Sequence, residues 1–323
     1  MRSFVTGGSG FIGSSLVRRL LSLDHEVIVF DDFSRGSKER INDIIDKIKI
    51  INGDVRDKNQ VMKAMKNCDN IFHLAFINGT RFFYEKPGLV LDVGIKGALS
   101  TVEASIKHLP EKYILASSSE VYHQPEKIPS DEFEKAIIPD ILNPRYSYAG
   151  GKLISELLTI NYFRDTEIKD LIFRPHNVFG PNMGFEHVIP EIMKKLFHST
   201  NGWNKKECDL VIQGNGTDTR AFCYIEDAVD QIISILNKGK KGNIYHVGMN
   251  EERSIIDLIF DIGKILELSI NIIPGEKRIG GTSRRCPNID KVLSLGYNKF
   301  DNYFEGLKQT VIWYKEYFNN SNL

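Results

Sequence analysis

The segment Thr6-Gly7-Gly8-Ser9-Gly10-Phe11-Ile12-Gly13 constrains this chain more than any other, because it joins a strand-like run, Ser3–Thr6, to a helix-like one, Gly10–Leu21. Glycines at 7, 10 and 13 permit a tight turn and close approach of backbone to a ligand. The helix that follows presents free N–H groups and the positive end of its dipole, which suits a pyrophosphate. The same rhythm continues. Strand-like runs at Glu26–Phe30, Ile48–Asn52, Asn70–Leu74, Tyr113–Ala116 and Leu171–Phe173 alternate with helix-like stretches at Ser37–Asp46, Lys58–Lys66, Leu89–Lys107 and Tyr146–Phe163. This spacing predicts an α/β fold, a doubly wound parallel Rossmann sheet with ligands at the carboxyl ends of its strands. After Pro175 the rhythm breaks at Gly180-Pro181-Asn182, Gly214-Asn215-Gly216 and Pro274-Gly275. Residues 1–175 are therefore expected to form the dinucleotide domain, with part of 221–248 returning to it. Residues 176–323 are expected to form mainly a smaller α+β substrate-binding domain.

Bulk properties narrow the partners. Lys plus Arg and Asp plus Glu both number 42, so net charge gives no reason to expect nucleic acid or a membrane surface. No apolar run approaches the ~18 residues that span a bilayer. Cys68, Cys208, Cys223 and Cys286 form no CxxC pair and have no His cluster at ligand spacing, so no metal site is expected and a reducing compartment fits. The chain runs from Met1 straight into a strand, which leaves no room for a signal peptide and points to the cytoplasm.

Several residues carry candidate chemistry. The second strand ends in Phe30-Asp31-Asp32, where a carboxylate accepts hydrogen bonds from ribose hydroxyls and repels a 2′-phosphate. That favours NAD over NADP, although Arg35 nearby is able to serve a phosphate. Asp54-Val55 follows the third strand and offers polar and apolar contact to adenine. Tyr148 and Lys152 lie four residues apart on a predicted helix, hence on one face. An ammonium there, with a cationic nicotinamide ring, lowers a phenol towards working pH, as a general base requires. Gly150 and Gly151 between them each cost a helix interior about 1 kcal/mol relative to Ala, which suggests close approach by another group. The fifth strand ends in Ser117-Ser118-Ser119-Glu120. A serine there serves as proton donor or relay, and Glu120 either removes a proton beside a ketone or faces solvent.

In this order the motifs resemble the extended short-chain dehydrogenase/reductases, specifically the NAD-dependent nucleotide-sugar epimerase/dehydratase family, and they are similar to those of UDP-glucose 4-epimerases and UDP-glucuronate decarboxylases. The resemblance runs through the glycine loop, Asp31, Asp54-Val55, His73-Leu74-Ala75, Ser117–Tyr122, Tyr148-x-x-x-Lys152, Arg174–Pro181, Thr219–Phe222 and Arg284–Pro287. It implies that Tyr148 is the base, that Lys152 supports it and holds the nicotinamide ribose, and that Ser118 is the catalytic hydroxyl. It places Glu120 where dehydratases and decarboxylases carry a catalytic Glu, with Ser119 where dTDP-glucose dehydratases carry an Asp. Gly7, Gly10, Phe11, Ile12, Gly13, Asp31, Asp54, Val55, Leu74, Ala75 and Ser117 are implied cofactor contacts. Ser118, Ser119, Asn177, His187, Val188, Arg220 and Arg285 are implied substrate contacts, the arginines at the diphosphate. The family suggests a homodimer through the Leu89–Lys107 and Tyr146–Phe163 helices. Phe76, Gly94 and His123 depart from the common pattern, replacing a small residue, an Asn and a Gly. The aromatic stretch Asn78–Lys86 is also unusual.

The expected activity is NAD-dependent epimerisation of a nucleotide-sugar through a transient 4-keto sugar. Tyr148 takes the hydroxyl proton while the hydride leaves for NAD and later returns to the other face. The rival outcomes are elimination or decarboxylation through Glu120, or net 4-dehydrogenation. A non-catalytic NAD-binding sensor is the alternative from another class.

Overall fold

A computed structural model describes residues 1–276, 282–297 and 302–320. In chain order its elements are β1 (Arg2–Thr6), α1 (Phe11–Ser22), β2 (Glu26–Asp31), β3 (Lys49–Asn52), α2 (Lys58–Ala64), β4 (Asn70–His73), α3 (Thr80–Glu85), α4 (Pro87–His108), β5 (Lys112–Ala116), α5 (Ser147–Phe163), β6 (Lys169–Pro175) and β7 (Val178–Phe179). There follow α6 (Val188–Ser199), β8 (Glu207–Ile212), β9 (Thr219–Ala221), β10 (Cys223–Tyr224), α7 (Ile225–Lys238), β11 (Asn243–Val247), β12 (Glu252–Ser254), α8 (Ile255–Leu266), β13 (Ser269–Pro274), β14 (Arg284–Arg285), α9 (Asp290–Leu293) and α10 (Tyr303–Asn320).

The apolar runs form one parallel sheet of seven strands in the order β11-β6-β5-β4-β1-β2-β3. Strands covered on both faces read as unbroken hydrophobic runs, which is why Val27–Phe30, Tyr113–Ala116 and Leu171–Phe173 show no alternation and are buried throughout. Thr6 pairs with Phe30 on one side and His73 on the other. Strand order reverses at β1, so the carboxyl ends of β1 and β4 flank a crevice able to take a ligand. The last strand of the sheet, β11, comes from residues 243–247 and pairs with β6. The small sheets β10-β7, β12-β9-β14 and β13-β8 lie in the later half.

One local expectation changes. The segment 38–47 winds as a 3-10 helix, not an α-helix, with Ser37 capping its start. Ile41 and Ile44 are its buried residues, and spacing by three eclipses them on one face of a 3-10 helix. The four cysteines are free thiols, no helix among the described residues is long and apolar enough to cross a membrane, and no group of potential metal ligands occurs among them.

Candidate active site

The glycine loop folds against the end of β4. Thr6 Oγ1 accepts the N–H groups of Leu74 and Ala75, each at 3.2 Å, and pairs with His73 Nδ1 at 2.8 Å. Gly7 takes φ +69°, and a Cβ there would lie 2.9 Å from Ala75 backbone. A Cβ at Gly13 would lie 2.1 Å from the Gly7 carbonyl oxygen. The turn and first helical turn are thus packed backbone to backbone, and Phe11, Ile12 and Gly13 open α1 as a free helix N-terminus. Gly13→Ala is expected to cost about 1–3 kcal/mol of stability, the usual price of overpacking. It should also weaken dinucleotide binding, to be measured by thermal melting and by titration against a fluorescent reduced dinucleotide.

A crevice of about 100 Å³ beside this loop is lined by Gly7, Gly10, Phe30, Asp31, Gly53, Val55, Leu74, Ala75 and Phe76, among others. Asp31 is buried there, its Oδ2 accepting from the Ser9 N–H at 3.0 Å and its Oδ1 from the Phe33 N–H at 2.9 Å. Asp54 follows Gly53 and precedes Val55, which both line the crevice, and its carboxylate is held by Arg56, with Nε 3.0 Å from each oxygen. Arg35 also lines this crevice, and its guanidinium reaches the Asn78 carbonyl at 2.8 Å, Glu186 at 3.4 Å and the Phe82 ring at 4.4 Å. A guanidinium so occupied leaves the carboxylate to meet a ribose, which matches NAD better than NADP. The glycine cradle and Asp31 therefore fit a dinucleotide on this chain's own geometry.

His73, at the end of β4, is buried, and burial together with Lys152 pushes it down to about 3. The unfolded chain then binds the extra proton. Stability is full above the unfolded value of about 6.5 and falls by about 1.4 kcal/mol per pH unit as pH drops towards the folded value. His176 and His246, also pushed down by burial, add to the slope in the same direction, so urea unfolding between pH 7 and 5 should show the sum, and His73→Asn should reduce the slope by up to about 1.4 kcal/mol per pH unit.

The candidate catalytic groups meet at the carboxyl end of β5. Ser117 Oγ donates to Glu156, which is buried one turn beyond Lys152 on α5. Ser118 caps a short 3-10 turn over 119–122, its Oγ accepting the Glu120 N–H at 3.2 Å; Ser119 is buried in that turn. Tyr148 and Lys152 are both buried on α5, and Lys152 Nζ donates to the Ala116 carbonyl at 2.7 Å. In the protein alone the phenol is set by its packing. Burial pushes Tyr148 up and the charge of Glu120 adds to this, while a hydrogen bond with Ser118 opposes it. Burial also lowers Lys152, to about 7, against the pull of Glu156. Its Nζ lies 5.7 Å from the centre of the Tyr148 ring.

Phe76 explains Gly151. A Cβ at Gly151 would lie 2.9 Å from the tip of the Phe76 ring, whereas one at Gly150 meets only Ile138 at 3.8 Å, so nothing in the structure explains Gly150. The aromatic segment contributes Phe83, stacked on Tyr148 at 4.9 Å. His123 takes φ +53°, in the region that glycine adopts freely, and its carbonyl accepts Thr282 Oγ1 at 3.1 Å.

On the other side of Ser118, Glu120 Oε1 meets Arg285 Nη1 at 2.5 Å and Arg145 lies 3.9 Å from its second oxygen. Burial opposes ionisation of Glu120, but these two guanidiniums with His123 outweigh it and hold the carboxyl below its ordinary range. Arg285 therefore stands beside Glu120 here. Asn177, His187, Val188 and Arg220 come together as lining of one cavity of about 340 Å³. Arg220 Nη1 donates to the Thr219 carbonyl at 2.6 Å, and burial, then Arg285, push its guanidinium down. Positive charge on an arginine beside a second arginine is relieved by an anionic ligand. Sequence reasoning missed Glu156 and Arg145. Glu156 was legible only as a helical position four beyond Lys152.

Comparison with known proteins agrees with this geometry. The model of the NAD dependent epimerase/dehydratase family matches residues 3–248. The UDP-N-acetyl-alpha-D-glucosaminuronate decarboxylase of Bacillus cytotoxicus is 29% identical over 99% of this chain and 99% of its own length. Among solved structures, the UDP-N-acetylglucosamine 4-epimerase of Methanobrevibacter ruminantium, in complex with UDP-N-acetylmuramic acid, superposes with a TM-score of 0.87 at 26% identity, covering 98% of each chain. The dTDP-glucose 4,6-dehydratase of Streptomyces venezuelae, with NAD bound, gives 0.84 at 25% identity, covering 98% of this chain and 97% of its own.

Proposed function

The chain belongs to the NAD dependent epimerase/dehydratase family and is an NAD-dependent enzyme, and on that premise we propose that it epimerises a nucleotide-sugar at carbon 4 through a transient 4-keto sugar. The observation that carries this choice is the clamp on Glu120. Held by Arg285 at 2.5 Å and kept ionised below its ordinary range, that carboxylate is a weak base for carbon. Tyr148 and Ser118, whose hydroxyl opposes the upward shift of the phenol, remain as the groups able to move a hydroxyl proton.

NAD, when bound, takes up a hydride and gives it back within one turnover. The chain's own residues do the rest. Gly7, Gly10 and Gly13 admit the pyrophosphate, Asp31 the adenosine ribose, and Lys152 the nicotinamide ribose. Tyr148 removes the proton from the sugar 4-hydroxyl and later returns it, with Ser118 bridging the two oxygens. Residues 176–323, mainly the nucleotide-sugar part, supply Asn177, His187, Val188 and Arg220 to the nucleotide and its diphosphate. Ser119 is a further candidate for the sugar, while Arg285 stays on Glu120 in this reading. The exposed Ile106, Ile154, Leu157 and Tyr162 on α4 and α5 support a homodimer through these helices. Light scattering on a size-exclusion column tests that state.

A second reading, elimination or decarboxylation, is supported by the position of Glu120 near Tyr148 and by the decarboxylase and dehydratase relatives. The test is incubation with UDP-glucose, UDP-N-acetylglucosamine, dTDP-glucose and UDP-glucuronate, with products identified by NMR. Glu120→Gln should retain more than a tenth of the epimerisation rate, since general-base catalysis at carbon is worth about 10²–10⁴-fold and this reading does not use it. A variant that still reduces bound NAD but forms no product would instead favour the second reading.

A further inference from the structure

Phe76 follows β4, and the tip of its ring fills the space that side chains would need at two glycines on two different helices. A Cβ at Gly94 in α4 would lie 2.2 Å from Phe76 Cζ, and one at Gly151 in α5 would lie 2.9 Å from the same atom. Phe76 and Gly94, both departures from the resembled pattern, are therefore one change: the missing side chain makes room for the ring. That ring then touches both members of the reacting pair. Lys152 Nζ sits 4.0 Å from its centre, and the Tyr148 ring meets it edge-on at 5.1 Å and 84°. Phe83 stacks on Tyr148 at 4.9 Å with an interplanar angle of 21°. The lysine is thus held between the Ala116 carbonyl, 2.7 Å away, and an aromatic face.

We propose that Phe76 is a positioning residue for the Tyr148–Lys152 pair: Gly94 and Gly151 admit its ring beneath the two side chains, and its π face holds the Lys152 ammonium in place. The role of the pair rests on the function proposed above, whereas the contact itself is open to measurement without substrate. The titratable groups facing Lys152 are Tyr148 and Glu156 on its own helix and His73 at the end of β4. Burial sets the lysine to about 7, so near neutrality a small change in the stability of its charged form changes its occupancy. A π face favours the ammonium, and its removal in a dry site lowers the titration midpoint.

The experiment uses the full chain labelled at lysine Cε with carbon-13, the Lys152 resonance being assigned by its loss in Lys152→Met. Phe76→Leu, which keeps volume and removes the π face, should lower the Lys152 midpoint by about one pH unit, a tenfold change in the protonation equilibrium. Other lysines should not move, which a general loosening of structure would not reproduce. Phe76→Met removes the same face should the leucine variant fail to fold. Gly94→Ala, which reaches the ring without altering it, should shift the midpoint in the same direction, and adding Phe76→Leu should then shift it little further. The functional reading is judged separately: a Tyr148→Phe enzyme that still reduces NAD with a nucleotide-sugar sinks that reading and leaves the lysine titration intact. An unchanged Lys152 midpoint in a folded Phe76→Leu, Phe76→Met or Gly94→Ala protein overturns the proposal.

Discussion

Tyr148→Phe is expected to slow reduction of bound NAD by a nucleotide-sugar about 10²–10⁴-fold, the range for loss of a positioned general base. The substitution removes one oxygen and keeps the ring, so the packing against Phe76 and Phe83 survives. Affinity for NAD should change little, because the glycine loop and Asp31 are separate from the phenol. Stopped-flow absorbance of the reduced nicotinamide gives the rate, and calorimetry gives the affinity. The pH profile carries further information. Burial raises the Tyr148 phenol in the protein alone, with Ser118 opposing. Loss of the Ser118 hydrogen bond in Ser118→Ala should therefore move the alkaline-rising limb of the rate to higher pH. A Tyr148→Phe enzyme within threefold of the parent rate would remove the phenol from the mechanism.

Glu156→Leu is expected to destabilise the fold by about 3–5 kcal/mol, a large share of the total stability of a protein domain. Glu156 and Arg174 are among the most enclosed charges described, their side chains 6% and 5% exposed, with Arg174 Nη2 2.6 Å from Glu156 Oε2. The carboxylate also takes Arg174 Nε at 2.8 Å and the Ser117 hydroxyl. The guanidinium continues to Tyr122, whose hydroxyl lies 2.6 Å from His246 Nε2. Removing the carboxylate leaves a buried cation and a hydroxyl without their acceptor, which is the expensive case. Replacing both charges, as Glu156→Leu with Arg174→Met, should recover part of the loss, because a buried pair contributes much less than its broken half costs. Urea unfolding measures all three variants. A loss under about 1 kcal/mol for Glu156→Leu would place the pair in solvent-like surroundings.

Most of the scaffold was legible because its signals are local. Glycines at 7, 10 and 13 lie within one turn, and the apolar runs at 27–30, 113–116 and 171–173 declare strands covered on both faces. The 3-10 winding of 38–47 was not legible, since Ile41 and Ile44 suit either helix and only their packing selects one. The grip of Arg56 on Asp54, only two residues away, was not legible either, because spacing does not distinguish it from a free turn.

The sequence by itself determined the parallel sheet, the glycine cradle and the presence of Tyr148 and Lys152 on one helical face, because each depends on neighbours within a few residues. Only the tertiary structure decided that Arg285 closes on Glu120 across 165 positions, that Glu156 holds Arg174, and that Phe76 fills the space at Gly94 and Gly151. It also decided the direction in which Tyr148 shifts. Desolvation depends on everything packed around a group, whereas spacing along a helix reports only which side chains share a face.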